Sequence, residues 1–164
     1  MAKSKASSIF KFRSSSPEET ARLAGLFAAG LKGGTALFLE GPIGSGKTFF
    51  VRELARALGA RRLPVSASFN LMRSYKGRLK LYHFDLFRAG EADMENIGLD
   101  EYLGRADGVT AVEWPGEAGA VYAGMEPLRL EFALGGGDRR LIKISAPPAA
   151  AGLAKAVEVK WLKK

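Results

Sequence analysis

The chain has 164 residues, of which 47% are apolar and 26% charged; this fits one globular domain, and no apolar run approaches the roughly 18 residues of a membrane span. Its net charge of +8 attracts polyanions, but the basic residues are scattered in short pairs, so charge alone does not indicate a specific RNA-binding surface. Because the chain has no Cys and its basic N-terminus lacks the apolar segment of a secretory signal, we expect a cytoplasmic protein without disulfides, thiolate metal sites or membrane contact.

The N-terminal region leads into a capped helix. Residues 1–15 are expected to be partly disordered, with an edge strand at residues 9–12. Ser16 is a helix cap, Pro17 fits the first turn, and Glu19 stands where a capping box places its carboxylate. Apolar residues follow at helical spacing: Leu23, Leu26, Phe27 and Leu31. Gly33-Gly34 is expected to end this helix.

A glycine-rich loop follows between a strand and a helix. The apolar run of residues 35–40 predicts a buried strand, and residues 48–58 place apolar side chains on one helical face. Between them, Gly41-Pro42-Ile43-Gly44-Ser45-Gly46-Lys47-Thr48 matches G-x-x-x-x-G-K-[ST] in full. The strand–loop–helix context supports a phosphate-binding P-loop over a chance glycine-rich turn.

Each fixed position of this loop has a chemical reason. Glycines let successive backbone N–H groups approach phosphate oxygens, and the helix N-terminus adds its positive dipole. Lys47 supplies a cation to the β- and γ-phosphates, and the Thr48 hydroxyl is a Mg²⁺ ligand. The sequence therefore predicts a site for ATP or ADP with Mg²⁺. The nucleotide-binding residues predicted in this segment are Gly41, Pro42, Ile43, Gly44, Ser45, Gly46, Lys47, Thr48 and Phe49.

The rest of the chain predicts mainly strands. Two hairpins are expected, the first around Lys76-Gly77-Arg78 and the second around the turn at residues 135–138. The predicted segments are strands at 71–75, 79–85, 109–114, 128–134 and 140–146, and a weak helix at 92–103. We expect an α/β fold of the P-loop NTPase type, with a mixed β-sheet flanked by helices and an antiparallel C-terminal hairpin. Residues 1–146 form the predicted domain, and residues 147–164 a C-terminal tail for which a helix is one option.

Two acidic residues stand at predicted strand ends. Asp85 closes the strand of residues 79–85, and Glu113 lies near the end of the strand at 109–114. Beside a P-loop, such a pair favours one carboxylate near the metal and one that orients or deprotonates the attacking water. The residues alone leave open which acid has which role. His83 is expected to be a packed or hydrogen-bonded residue and not a catalyst, and Trp114 fits a nucleobase stack and a core position equally well.

Together these motifs resemble the bacterial TsaE (YjeE) family, small ATPases needed for threonylcarbamoyladenosine modification of tRNA. The resemblance spans residues 16–146. Besides the P-loop, it rests on Val65-Ser66-Ala67-Ser68-Phe69, Leu81-Tyr82-His83-Phe84-Asp85-Leu86-Phe87-Arg88, Gly98-Leu99-Asp100-Glu101-Tyr102-Leu103 and Val112-Glu113-Trp114-Pro115.

The resemblance implies roles for single residues. Asp85 would help to hold Mg²⁺, Glu113 would be the catalytic carboxylate, and Trp114 would line the nucleotide site. Ser68 would stand in a switch-like loop, with its hydroxyl in reach of metal or phosphate. It also implies protein partners of the threonylcarbamoyl-transfer complex, whose turnover ATP hydrolysis supports, with only indirect contact to tRNA.

The chain departs from the family pattern at three places. Pro42-Ile43 stands where the family usually has an acidic residue followed by Leu, and Ser66-Ala67-Ser68-Phe69 replaces Ser-Pro-Thr-Phe. In addition, Phe49 follows Thr48 where a small or polar residue is common. The first change leaves the phosphate-binding residues in place. Without the Pro, the second loop is less restrained.

Two other functions fit the P-loop. A small kinase acting on a nucleoside or another small molecule would use the same loop, but the chain shows no obvious arginine-rich lid, and Arg139-Arg140 falls in a predicted hairpin. A nucleotide-gated binding module without turnover is the other alternative. The outcome of incubation with ATP distinguishes the three functions. A kinase gives a phosphorylated product, an ATPase gives free phosphate, and a binding module holds nucleotide without hydrolysis.

Overall fold

A seven-stranded mixed sheet organises the protein, in the order β1-β7-β6-β2-β5-β4-β3. The computed structural model describes residues 6–63, 71–90, 93, 96–117 and 124–163. The strands are β1 (Ser8–Ser14), β2 (Ala36–Glu40), β3 (Met72–Tyr75), β4 (Lys80–Asp85), β5 (Gly108–Glu113), β6 (Leu128–Leu134) and β7 (Arg140–Ala146). The predicted α/β fold with a mixed sheet is confirmed.

The strands divide by direction. In the centre, β2 pairs in parallel with β5 and β6, and β4 pairs in parallel with β5. The carboxyl ends of these four strands therefore meet at one edge of the sheet. Towards one side, β7 and then β1 continue the sheet antiparallel, and at the other side β3 pairs antiparallel with β4. Both predicted hairpins are confirmed.

Three α-helices in the described chain pack against the sheet. They are α1 (Pro17–Gly30), α2 (Lys47–Ala57) and α3 (Pro148–Leu162). Their apolar faces form the larger core with the strands, and Phe12, Phe27 and Phe50 are fully buried there. A smaller core, including Phe38, Phe84 and Val112, covers the opposite face of β2, β4 and β5. Two short 3₁₀ turns follow β4 and β5, at Leu99–Glu101 and Pro115–Glu117.

The cap of α1 follows the sequence prediction with one shift. The Glu19 N–H donates to Ser16 Oγ at 3.3 Å, as a capping residue requires. The Glu19 carboxylate, however, accepts from the Ser15 N–H at 2.7 Å, one residue before the cap. The helix ends at Gly30, before the predicted Gly33-Gly34, because Leu31 adopts an extended conformation.

Both chain ends differ from the sequence prediction. The strand expected at residues 9–12 extends over Ser8–Ser14 and pairs along its whole length with β7. The segment predicted as a tail contains α3, which packs on α1, β1 and β7 and buries Val157 and Trp161. These side chains complete the core that β1 and α1 share. The predicted weak helix at 92–103 lies partly outside the described residues; within them it contains the turn Leu99–Glu101.

Among the residues that the structure describes, none of the helices combines the length and the apolar character that crossing a membrane requires.

Candidate nucleotide-binding site

The P-loop connects β2 to α2 at the edge where the parallel strands end. Gly46 is the residue before α2, and its φ of 103° lies in the left-handed region that glycine adopts without strain. Gly41 lies so close to β6 that a Cβ there would be 2.5 Å from the Phe132 carbonyl oxygen. The loop therefore requires glycine at both positions, for its turn and for its packing.

Lys47 is buried at the start of α2, and its ammonium group lies inside the loop. Its Nζ donates to the carbonyl oxygens of Gly41 at 2.7 Å and Pro42 at 3.0 Å, and it lies 3.4 Å from Ser45 Oγ. Burial lowers the pKa of Lys47, opposed by the nearby Glu113 and Asp85 carboxylates. A phosphate that enters the loop would exchange these carbonyl contacts for charge-assisted ones.

Glu113, at the end of β5, is the buried acid of the site, with 1% of its surface exposed. Its Oε2 accepts from the Thr48 hydroxyl at 2.8 Å, and its Oε1 lies 2.8 Å from His83 Nε2. Both carboxylate oxygens are thus fixed by partners on different elements, α2 and β4. His83 is buried and hydrogen-bonded, as the sequence led us to expect, but the sequence did not indicate that its partner is this acid.

Asp85 ends β4 and stands beside Glu113 in the parallel register. Its Oδ1 accepts the Phe87 N–H at 3.2 Å. Burial raises the pKa of Asp85; the Phe87 hydrogen bond opposes this shift, and the neighbouring Glu113 charge adds to it. The two acids that the sequence places at strand ends are therefore brought together, in a site that favours an added cation.

Trp114 directly follows Glu113 and closes one side of the site. Its φ of 58° is the one positive φ among the described non-glycine residues. Its backbone N–H donates to the Leu39 carbonyl oxygen at 3.1 Å. The ring lies 4.0 Å from Lys47 Nζ and packs against Phe87 with ring centroids 4.8 Å apart. Trp114 thus lines the site and also packs against the smaller core.

An open cleft of about 890 Å³ contains these groups. Of the predicted residues, those that line it are Ile43, Gly44, Gly46, Lys47, Thr48, Phe49, Asp85, Glu113 and Trp114. Gly41, Pro42 and Ser45 contact the Lys47 ammonium instead. Ser68 and the rest of the segment 64–70 lie outside the described residues.

The donor set fits Mg²⁺ better than a metal held by protein ligands alone. Within the described ranges, no three His, Cys, Asp or Glu side chains converge as a metal site. One hydroxyl, Thr48, and two carboxylates, Asp85 and Glu113, lie at the cleft. Mg²⁺ is commonly bound by one or two such oxygen ligands together with substrate phosphates and water.

Sequence reasoning missed Arg140, the first residue of β7. Its guanidinium lines the cleft and donates to the carbonyl oxygens of Ser45 at 2.9 Å and Gly44 at 3.2 Å. Pro17 and Thr20 of α1 also line the cleft without having been predicted there. The available signal was the Arg139-Arg140 pair in a hairpin whose turn faces the P-loop edge, but the pattern does not show which arginine points to the loop.

Known proteins resemble this chain over most of its length. The family model described as "Threonylcarbamoyl adenosine biosynthesis protein TsaE" matches residues 14–141. The "tRNA threonylcarbamoyladenosine biosynthesis protein TsaE" of Bacillus subtilis is 45% identical over 105 residues, covering 63% of this chain and 65% of that protein. The protein of the same description from Synechocystis is 40% identical over 86 residues, covering 50% of this chain and 55% of that protein.

A solved structure shares the whole architecture. The crystal structure of Bacillus subtilis YdiB superposes with a TM-score of 0.77 at 34% sequence identity. The superposition covers 96% of this chain and 99% of that one. It therefore includes α3, beyond the part that the family model matches.

Proposed function

The chain belongs to the TsaE family, and from this membership and the geometry of its cleft we propose that it is a Mg²⁺-dependent ATPase supporting threonylcarbamoyladenosine modification of tRNA. The observation that carries the proposal is the convergence of Lys47, Thr48 and Glu113. The Thr48 hydroxyl donates to Glu113 at 2.8 Å, which joins the P-loop helix to the acid at the end of β5. A P-loop used only to hold an anion would not need a buried carboxylate at this distance.

Lys47 and the loop bind the triphosphate. The ammonium group already lies among the carbonyl oxygens of Gly41 and Pro42, so only a short movement would direct it to the β- and γ-phosphates. The N-terminus of α2 faces the same position and adds its N–H groups and positive dipole. Trp114 and Phe49 also line the cleft, beside Lys47 and Thr48.

Thr48 and Asp85 are the residues proposed to hold Mg²⁺. The Thr48 hydroxyl donates a hydrogen bond to Glu113, and the lone pairs of its oxygen stay free for a metal ion. Asp85 supplies a half-buried carboxylate whose raised pKa reflects burial and the adjacent Glu113 charge. Held by Thr48 and Asp85, Mg²⁺ would neutralise the negative charge of the phosphates.

Glu113 is proposed to act on the attacking water. Its two oxygens are held by Thr48 and His83, so the carboxylate is oriented before substrate arrives. The water oxygen forms a bond to the γ-phosphorus, its proton passes to Glu113, and the bond to the β–γ bridging oxygen breaks to release ADP and phosphate. His83 contributes by holding the carboxylate and does not touch the reacting atoms.

The role in tRNA modification is proposed to depend on protein partners. The Bacillus and Synechocystis relatives carry the description "tRNA threonylcarbamoyladenosine biosynthesis protein". We propose that hydrolysis by this chain supports turnover of the proteins that transfer the threonylcarbamoyl group, with indirect contact to tRNA. A cytoplasmic location follows from the same assignment and stays a prediction.

A phosphate-release assay tests the proposal. The chain is incubated with Mg²⁺-ATP, alone and with the threonylcarbamoyl-transfer proteins and tRNA, and free phosphate and ADP are quantified. We expect equal amounts of both products and a rate that the partner proteins raise. A phosphorylated small molecule in place of free phosphate would indicate a kinase, and tight nucleotide binding without phosphate release in any mixture would indicate a binding module.

A further inference from the structure

Arg140 makes an unusual set of contacts beside the P-loop. Its Nε donates to the Ser45 carbonyl oxygen at 2.9 Å, and its Nη2 donates to that of Gly44 at 3.2 Å. Its Nη1 donates to the carbonyl oxygens of Gly137 at 2.7 Å and Arg139 at 2.8 Å. One guanidinium therefore joins the turn between β6 and β7 to the middle of the P-loop, a segment about 95 residues earlier in the chain.

These contacts fix the direction of the loop's peptide groups. In a trans peptide unit the C=O and N–H point in opposite directions. Because the Ser45 carbonyl is held outward by Arg140, the Gly46 N–H of the same unit points away from Arg140, into the loop. The Gly44 carbonyl is held in the same way, and the Ser45 N–H of that unit bonds the Pro42 carbonyl at 3.1 Å, which closes the turn of the loop.

Among the described residues, no carboxylate pairs with the guanidinium of Arg140. In the part of the chain that the structure describes, its hydrogen bonds go to backbone carbonyl oxygens, and it forms no ion pair. Its neighbour Arg139 provides a contrast, since that side chain is exposed and donates only weakly, to the Gly136 carbonyl at 3.4 Å. Only one of the two arginines can therefore act on the loop.

We infer that Arg140 is a positioning residue that holds the P-loop in its phosphate-binding conformation by bonding the outward carbonyl oxygens of Gly44 and Ser45. The inference rests on the proposed function, in which this loop binds a triphosphate. The planar fork of arginine donates to two adjacent carbonyl oxygens at once, which the ammonium of lysine does less well. The turn between β6 and β7 thereby becomes part of the nucleotide site, although it contributes no predicted ligand.

The test compares Arg140→Gln, Arg140→Lys and the matched control Arg139→Gln in the full chain. Amide hydrogen exchange of Ser45, whose N–H bonds the Pro42 carbonyl oxygen, is measured by NMR without nucleotide, and Mg²⁺-ATP affinity is measured by calorimetry. Exchange of Leu54 in the buried part of α2 reports global stability in each variant.

For Arg140→Gln we expect loop exchange to be about tenfold faster and Mg²⁺-ATP binding about tenfold weaker, with Leu54 unchanged. Arg140→Lys should recover only part of both effects, and Arg139→Gln should match wild type. Wild-type loop exchange in Arg140→Gln, or full recovery by Arg140→Lys, would overturn the positioning role. If Arg140→Gln also speeds the exchange of Leu54, that variant is globally destabilised and Arg140→Lys is compared with Arg139→Gln instead. Loop exchange in Arg140→Lys is then expected to be about threefold faster than in Arg139→Gln.

The outcomes separate this inference from the proposed function. A wild-type chain that does not bind Mg²⁺-ATP would refute the proposed function, while the exchange measurement without nucleotide would still test the arginine contact. A wild-type chain that binds Mg²⁺-ATP, together with an Arg140→Gln variant that has normal loop exchange, would refute the positioning role alone.

Discussion

The parallel centre of the sheet (β2, β5 and β4) and the wing beside it differ in what they bury. The wing consists of β6, which pairs in parallel with β2, and of β7 and β1, which continue the sheet antiparallel. At the centre, His83 on β4 and Glu113 on β5 are buried together with Lys47 of the adjoining P-loop helix, and 4%, 1% and 4% of their surfaces are exposed. The inner face of the wing is mainly apolar, with Ile142 and Ile144 fully buried against the helices. Burying charged groups costs free energy unless they are paired, whereas burying apolar groups stabilises the fold.

This difference separates function from stability within one sheet. The centre has charged groups at the carboxyl ends of parallel strands, where they meet the P-loop. The wing extends the hydrophobic core and, through Arg140, supports the loop from outside. Substitutions in the centre should therefore change nucleotide chemistry, and matched substitutions in the wing, apart from those of Arg140, should change stability or nothing.

The largest effect is expected for Glu113→Gln. Glutamine keeps hydrogen-bonding atoms for Thr48 and His83 but cannot take a proton from water, so kcat for ATP hydrolysis should fall by about 100- to 1,000-fold. Mg²⁺-ATP affinity should stay within about threefold. The wing control is Glu131→Gln, which removes the same charge from a surface pair with Lys143. Persistent hydrolysis with weakened Mg²⁺ binding would exchange the roles of Glu113 and Asp85.

Asp85→Asn should weaken Mg²⁺ binding about tenfold, because a carboxylate ligand is replaced by a neutral amide. The metal-free protein should be as stable as wild type or more stable. A pKa raised in the folded state means that the ionised carboxylate costs stability at neutral pH, and the substitution removes that charge while keeping an oxygen for the Phe87 N–H. Mg²⁺ titration and thermal unfolding measure the two effects. A lower midpoint of thermal unfolding together with normal Mg²⁺ affinity would show that Asp85 stabilises the fold and does not hold the metal.

His83→Phe should lower kcat about tenfold with little change in KM, since Glu113 loses the partner of its Oε1. His83→Gln, which retains an N–H donor, should recover most of the rate. Steady-state phosphate release on both variants is the measurement. If the two variants lose the same activity, the hydrogen bond is not what matters at this position.

The smallest effect is expected for Ile144→Val in the wing. Loss of one buried methylene should lower the free energy of unfolding by about 1 kcal/mol. Mg²⁺-ATP affinity and hydrolysis should be unchanged, as determined by urea denaturation and the same binding assay. A large loss of affinity here would remove the distinction between centre and wing.

The sequence predicts those features whose signals are local. The P-loop, both hairpins and the acids at strand ends each depend on a pattern within about ten residues, and each lies where it was expected. That Asp85 and Glu113 meet also follows from the sequence, once their strands are taken as parallel neighbours.

The features that were missed depend on contacts between distant segments. Arg140 reaches a loop that lies about 95 residues away, and only the register of β6 and β7 decides that it, and not Arg139, faces the cleft. Helix α3 has an alanine-rich start and little amphipathic pattern, so its packing on β1 and α1 was not visible. His83 was expected to be packed or hydrogen-bonded, but its partner could not be predicted because that partner lies on another strand.

Mg²⁺-ATP binding by Lys47→Ala, compared with Lys11→Ala, tests the central claim most directly. Both variants lose one positive charge, but Lys47 lies in the P-loop of the centre, whereas Lys11 is exposed on β1 in the wing. Calorimetry should show at least about a 100-fold weaker affinity for Lys47→Ala and a wild-type affinity for Lys11→Ala. Equal affinities in the two variants would contradict a nucleotide site at the parallel centre.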